Sequence, residues 1–119
     1  HLMRGGETFV PKIPSYKIMN LIKSFKIKNN FKITGIRPGE KINEDLISIH
    51  DSRQTYESKD HFIILPEDKS FEINVKDYLS KKPYYKKVKK NFYYSSGSNN
   101  HFYTQKELDH IVENEIKKY

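Results

Sequence analysis

Apolar residues in the first third of the chain follow first a strand-like and then a helical spacing. Residues 7–13 (ETFVPKI) predict a strand, with Pro11 typical of an edge or a strand end. Ser15 is a plausible N-cap for a helix of about ten residues, ending at 29–30, that buries one apolar stripe. That stripe consists of Ile18, Leu21, Ile22 and Phe25. Residues 31–36 (FKITGI) alternate and predict a second strand, so that strand, helix and strand form a right-handed βαβ unit with parallel strands.

The middle of the chain predicts shorter elements. Residues 41–48 predict a short helix, and residues 55–58 and 61–65 predict a pair of short strands. Residues 66–91 show no consistent period, so we expect an irregular excursion that its tyrosines partly order. Those tyrosines are Tyr78, Tyr84 and Tyr85.

Thr104 and Glu107 have the spacing of a capping box, in which each side chain accepts a backbone N–H of the other residue. They predict a C-terminal helix with one buried side, formed by Leu108, Ile111, Val112 and Ile116. The fold class is therefore a small α/β domain over residues 1–119, with a βαβ unit, short additional strands and a C-terminal helix. Because parallel sheets are normally covered on both faces, a two-stranded one predicts that the chain is part of something larger.

Length and composition exclude several classes of protein. A chain of 119 residues forms one domain at most, and 13% aromatic residues are too many for a disordered chain. No apolar run approaches the roughly 20 residues that a membrane span needs. The chain has no cysteine, which excludes disulfides, thiolate catalysis and cysteine zinc sites. We take the cytoplasm as the default compartment.

Most of the net positive charge lies in one segment. The formal net charge is +7, and residues 76–90 hold seven lysines and a single acid, Asp77. Lysines interleaved with tyrosines are typical of surfaces that bind phosphates and stack bases. Arginine, the better bidentate donor, is absent from this segment, which argues against a nucleic-acid partner. A solvated loop and a patch facing another subunit or an anionic surface stay open.

Residues 37–40 (RPGE) carry the clearest chemical signal. Proline at the second position and glycine at the third are the signature of a type II turn, which holds Arg37 and Glu40 within about 7 Å, Cα to Cα. The turn follows a predicted strand, and open α/β folds bind ligands at strand ends. A guanidinium can bind a diphosphate and a carboxylate can accept from ribose hydroxyls, so the pair suits a nucleotide diphosphate. The alternative is a connecting turn whose ends form a surface salt bridge.

Other candidate residues give a weaker indication of chemical function. The four histidines after His1 lack metal-ligand spacing, so we expect no metal site; they are His50, His61, His101 and His110. Residues 95–98 (SSGS) predict a flexible turn rather than a nucleophile, because no base neighbours them in sequence. We expect Asp51 and Glu57 to be exposed strand ends rather than paired catalytic carboxylates. Tyr85 and Lys89 have Tyr-x-x-x-Lys spacing but lie in the basic excursion.

Two runs, residues 5–15 (GGETFVPKIPS) and 35–41 (GIRPGEK), resemble bacterial UDP-N-acetylglucosamine 4,6-dehydratases, members of the extended short-chain dehydrogenase/reductase superfamily. The similarity returns in four later segments, 44–48, 55–57, 94–96 and 104–111. It lapses at about residues 67–91. The resemblance implies a role in surface polysaccharide or glycan biosynthesis.

The resemblance implies that an N-terminal Rossmann domain binds NADP and supplies the catalytic residues. This chain has no G-x-G-x-x-G fingerprint, so the Rossmann domain is missing from it and we expect no catalytic, cofactor-binding or metal-binding residue here. The resemblance then implies that the chain is the C-terminal, substrate-binding part of such an enzyme and is inactive alone. In that part, Arg37 contacts the pyrophosphate of a UDP-sugar and Glu40 contacts its ribose. The implied parent is a homo-oligomer, with or without a membrane anchor.

The implied reaction of the complete enzyme is an intramolecular redox elimination. NADP takes hydride from C4 of the sugar, water leaves across C5–C6, and the hydride returns at C6. The sequence leaves the stereochemistry at C5 open. Two alternatives also stay open: a stand-alone basic interaction module without catalysis, and a truncated or split protein that keeps an oligomerisation role.

Overall fold

The chain divides into two compact units, each made from two separate stretches of sequence. The first unit comprises residues 1–12 and 45–98, and the second comprises residues 13–44 and 99–119. The computed structural model describes residues 5–27, 31–67 and 74–118. In chain order its elements are β1 (Thr8–Pro11), α1 (Ile18–Ser24), β2 (Asp45–Ile47), a 3-10 helix (Asp51–Gln54), β3 (Thr55–Glu57), β4 (His61–Ile64), α2 (Val75–Ser80), β5 (Lys86–Lys87), β6 (Tyr94–Ser95) and α3 (Gln105–Ile116).

The first unit is built on an antiparallel sheet of four strands in the order β1-β4-β3-β5. The predicted pair of short strands is confirmed as the hairpin β3–β4, in which Tyr56 lies opposite Ile63. Strand β1 pairs with the other edge of β4, with Val10 opposite Phe62. Strands β2 and β6 form a separate antiparallel pair.

Strand β4 is buried on both faces, which explains its apolar sequence. Successive side chains of a strand point to opposite faces, so Phe62 and Ile63 enter different clusters. The cluster around Phe62 contains Val10, Ile47, Phe62, Val88 and Tyr94. The cluster around Ile63 contains Ile63, Leu65, Tyr78 and Tyr85.

The second unit pairs α1 with α3. The capping box is confirmed: the Thr104 hydroxyl accepts the Glu107 N–H at 3.3 Å, and the Glu107 carboxylate accepts the Thr104 N–H at 2.8 Å. Gln105 at the start of α3 donates to the Asn20 carbonyl of α1 at 3.0 Å. Of the predicted apolar side of α3, Leu108 and Val112 are buried, whereas Ile111 and Ile116 are largely exposed.

The α/β class and the C-terminal helix are confirmed, but the predicted βαβ unit is wrong. Strand β1 finds its partner in β4, antiparallel, and residues 31–36 form no strand. Ile33 is 79% exposed and Ile36 is 63% exposed. Alternation shows only that a segment could pair, whereas a strand also needs a partner, and residues 31–36 pair with no strand of the described residues.

The start of α1 also differs from the prediction. The helix begins at Ile18 after Lys17, which makes no side-chain cap. Ser15 instead bonds to the stretch before α3: its N–H donates to the His101 carbonyl at 2.8 Å and its carbonyl accepts the Tyr103 N–H at 2.8 Å. Leu21 and Ile22 are half-buried, whereas the predicted stripe residues Ile18 and Phe25 are exposed. The predicted end at residues 29–30 lies outside the described residues.

Residues 41–48 contain strand β2 (Asp45–Ile47) rather than the predicted helix. Ile47 of this strand is fully buried and pairs with Tyr94. Within the predicted irregular excursion lie α2 and β5. Its Tyr78 and Tyr85 are buried and Tyr84 is half exposed, while residues 68–73 lie outside the described part. None of the helices in the described part of the chain is long and apolar enough to cross a membrane.

Replacing Thr104 with alanine should lower the free energy of unfolding of the second unit by about 1 kcal/mol, because the Glu107 N–H loses its acceptor. Hydrogen bonds from the Thr104 N–H and hydroxyl hold the pKa of Glu107 below its usual value. This carboxylate therefore stabilises the fold above its unfolded pKa and stops doing so as the pH falls through its folded pKa. On acidification, the Thr104→Ala variant should therefore lose less stability than the unsubstituted chain.

Urea unfolding at a series of pH values, followed by circular dichroism, measures both effects. Lys106→Ala, on the same exposed turn, is the control and should leave the stability nearly unchanged. Equal stability of Thr104→Ala and Lys106→Ala would contradict the capping box.

Candidate functional site

The predicted type II turn at residues 37–40 is confirmed. The Glu40 N–H donates to the Arg37 carbonyl at 3.0 Å, and Gly39 at the third position has a φ of +81°. A Cβ atom built at Gly39 would meet nothing within 4 Å. Glycine is therefore favoured here by the backbone conformation and not by lack of space.

The two charged ends of the turn are held together through the backbone. The Arg37 N–H donates to Oε2 of Glu40 at 2.8 Å, which fixes the carboxylate against the turn. Within the described part of the chain, no hydrogen bond or ion pair engages the Arg37 guanidinium. The salt bridge of the alternative interpretation does not form, so the guanidinium donors and Oε1 of Glu40 stay available to a ligand.

The turn lies in an exposed segment and not at the end of a strand. Every residue from 31 to 44 is exposed, including Arg37 and Glu40. The apolar side chains that flank the turn are among the most exposed in the second unit: Ile33, Ile36 and Ile42 are 79%, 63% and 78% exposed. Several large, highly exposed apolar side chains in one segment are typical of a contact with another protein surface.

The carboxylates that the sequence offered for acid–base chemistry are engaged in structural contacts. Asp51 accepts the Ser48 hydroxyl at 2.6 Å and the Ser48 N–H at 3.0 Å, and these bonds lower the pKa of Asp51. Glu57 forms an ion pair with Nζ of Lys12 at 2.6 Å. In the described ranges, no three histidine, aspartate or glutamate side chains are grouped so that they could hold a metal ion.

A chain of polar side chains, which sequence analysis did not find, joins the β3–β4 hairpin to the loop before β5. His61 Nδ1 lies 2.7 Å from Oδ1 of Asp60, and His61 Nε2 lies 2.6 Å from the Tyr85 hydroxyl. Burial raises the pKa of Tyr85 well above its usual value, so this phenol stays protonated. Its place in the hydrogen-bonded chain gives Tyr85 a structural role within the first unit.

A basic pocket of about 680 Å³ lies within the first unit. One side is formed by the 3-10 helix and the residues before it, through Ile49, His50, Ser52 and Arg53. The other side is formed by residues 87–91, three of which are lysines. Sequence analysis found the lysines but not the pocket, because Arg53 lies more than thirty residues before them.

Comparison with known proteins finds a matching family and several relatives. Residues 1–66 match the family described as polysaccharide biosynthesis protein. The chain is 42% identical over 116 residues to the UDP-N-acetylglucosamine 4,6-dehydratase (inverting) of Campylobacter jejuni strain 81-176, and equally to that of strain NCTC 11168. These alignments cover 92% of this chain but only 33% of each relative.

Two further relatives are more distant. The chain is 35% identical over 77 residues to an uncharacterized membrane protein of Methanocaldococcus jannaschii, covering 56% of this chain and 23% of that protein. Its fold is similar to the X-ray structure of Pen from Bacillus thuringiensis, with a TM-score of 0.64 and 27% sequence identity. That likeness covers 94% of this chain and 31% of the Pen chain.

Proposed function

Since the chain belongs to the polysaccharide biosynthesis protein family, we propose that it is the UDP-sugar-binding C-terminal part of a nucleotide-sugar 4,6-dehydratase. The observation that carries the proposal is the turn at residues 37–40, in which Glu40 is fixed by the Arg37 N–H and the Arg37 guanidinium stays available. The identity to two UDP-N-acetylglucosamine 4,6-dehydratases supports this choice of substrate.

The chemistry assigned to the turn is binding and not catalysis. The Arg37 guanidinium donates two parallel hydrogen bonds to the pyrophosphate of the UDP-sugar, and Oε1 of Glu40 accepts from ribose hydroxyls. Both groups contact the nucleotide half of the substrate, away from the reacting carbons of the sugar. Their binding energy holds the hexose in place for groups that act on it.

NADP is the cofactor that we assign to the complete dehydratase, but this chain does not fit it. The sequence contains no glycine-rich G-x-G-x-x-G turn, and the strands of the described residues pair antiparallel, unlike the parallel strands of a dinucleotide-binding sheet. We therefore assign NADP and the catalytic groups to a Rossmann domain in the two-thirds of the relatives' length that this chain does not span. The exposed Ile33, Ile36 and Ile42 beside the turn support a contact with that domain.

The proposal is tested by grafting this chain into the Campylobacter jejuni dehydratase in place of the segment that aligns with it. The chimera should convert UDP-N-acetylglucosamine. Replacing Arg37 with alanine in the chimera should lower kcat/KM at least tenfold, mainly through KM, because a hydrogen bond to a charged group contributes about 1.5–3 kcal/mol.

Binding of UDP to the ungrafted chain, followed by NMR, gives a readout that does not depend on the chimera folding. On addition of UDP, the signals of residues 35–41 should shift in the unsubstituted chain but not in Arg37→Ala. They should also shift in Lys17→Gln, which changes an exposed residue of the same unit and serves as the control. An unchanged KM in the Arg37→Ala chimera would contradict the proposed UDP-sugar site. So would NMR signals that shift with UDP only outside residues 35–41.

A further inference from the structure

The basic pocket of the first unit has walls fixed by strand pairing and hydrogen bonds. The Thr55 hydroxyl donates to the Asp51 carbonyl at 2.7 Å and ties the 3-10 helix to β3. The Val88 N–H donates to the Thr55 carbonyl at 3.3 Å, and Lys87 lies opposite Tyr56 in the β3–β5 pairing. Lys87 Nζ also donates to the Arg53 carbonyl. Residues 49–53 and 87–91 are thus held in one arrangement.

The charges that line this pocket all have one sign. Arg53, Lys87, Lys89 and Lys90 contribute to its lining, and none of the lining residues is acidic. Within the described part of the chain, no hydrogen bond or ion pair engages the guanidinium of Arg53 or the ammonium groups of Lys89 and Lys90. Burial lowers the pKa of Lys87, so an anion beside it would favour its charged form.

Two of the other lysines of the basic segment, Lys81 and Lys82, are engaged in contacts of their own. Lys81 forms an ion pair with Asp77 at 2.9 Å. Lys82 Nζ lies 3.8 Å from the centre of the Tyr78 ring. A nucleic acid needs a groove or stripe that follows its backbone, whereas this charge is concentrated in one concave pocket of the size that holds small molecules, roughly 300–1,000 Å³.

We propose that this pocket binds a phosphorylated small molecule, with Arg53, Lys89 and Lys90 on the phosphate oxygens. Arg53 supplies a planar fork of donors, and the two lysines supply compact charges on the opposite wall. The half-exposed Ile49 and the buried Val88 provide an apolar surface for the organic part of the ligand. The site is separate from the Arg37–Glu40 turn and does not depend on the function proposed for it.

Titration of the 119-residue chain with inorganic pyrophosphate, followed by backbone amide NMR, tests the site. Saturable shifts should be confined to residues 49–53 and 87–91. Arg53→Gln and the double variant Lys89→Gln/Lys90→Gln should each weaken binding about tenfold. The substituted side chains are exposed and the Arg53 carbonyl stays in place, so thermal unfolding should be unchanged.

The double variant Lys59→Gln/Lys76→Gln removes the same charge from exposed positions of the same unit and should bind pyrophosphate like the parent. Arg37→Ala should also bind like the parent, which separates this result from the proposed UDP-sugar site. Three results would each overturn the proposal. The first is non-saturable shifts spread over all lysines, and the second is equal weakening of pyrophosphate binding by both double variants. The third is tight, salt-dependent binding of an RNA oligonucleotide without pyrophosphate binding.

Discussion

Replacing Ile63 with alanine should lower the free energy of unfolding of the first unit by about 2–5 kcal/mol. Ile63 is fully buried on β4, which is paired on both edges. Its side chain packs in the cluster with Leu65, Tyr78 and Tyr85. Truncation removes buried apolar surface and leaves a cavity that neighbours held by the sheet cannot close. A loss of this size is a large fraction of the 5–15 kcal/mol of a typical domain.

Urea unfolding, followed through the amide signals of β3 and β4, measures this loss. Ile63→Val should cost only about 0.5–1.5 kcal/mol, because most of the volume is kept. Ile42→Ala is the control: that side chain is 78% exposed, and its loss should change the stability by about 0.5 kcal/mol or less. If Ile63→Ala and Ile42→Ala had equal stability, the assignment of the core would be wrong.

The features that sequence predicted correctly depend on residues close together in the chain. The β3–β4 hairpin follows from an apolar run and a short polar turn at Ser58–Asp60. The capping box needs only Thr104 and Glu107, three residues apart. The type II turn needs only Pro38 and Gly39. In each case the backbone preference and the hydrogen bond that satisfies it lie within one turn of the chain, so distant residues are not required to predict them.

The features that sequence missed depend on partners far along the chain. Strand β1 could have paired with residues 31–36 or with β4, and alternation alone does not choose between them. Helix α2 and strand β5 are too short for a periodic pattern and are stabilised by burial of Tyr78 and Tyr85. The basic pocket exists only because the β3–β5 pairing brings residues 87–91 to Arg53, 34 residues before Lys87.

Replacing Gly39 with valine should weaken UDP-sugar binding by about a hundredfold in the dehydratase chimera, more than the loss of Arg37 alone. A β-branched residue at a φ of +81° costs about 1–3 kcal/mol, so the turn relaxes into another conformation. The Arg37 N–H then no longer fixes Glu40, and both proposed contacts to the nucleotide are lost. Two contacts of about 1.5 kcal/mol each correspond to about two powers of ten in affinity.

A conservative partner variant distinguishes backbone conformation from side-chain size. Asparagine tolerates a positive φ at the third position of a type II turn, so Gly39→Asn should keep most of the affinity although asparagine is larger than glycine. There is room for it, because a Cβ at Gly39 would meet nothing within 4 Å. The unfolding temperature should barely change in either variant, since every residue of the turn is exposed. Equal binding by the valine and asparagine variants would mean that the turn does not position Arg37 and Glu40 for the ligand.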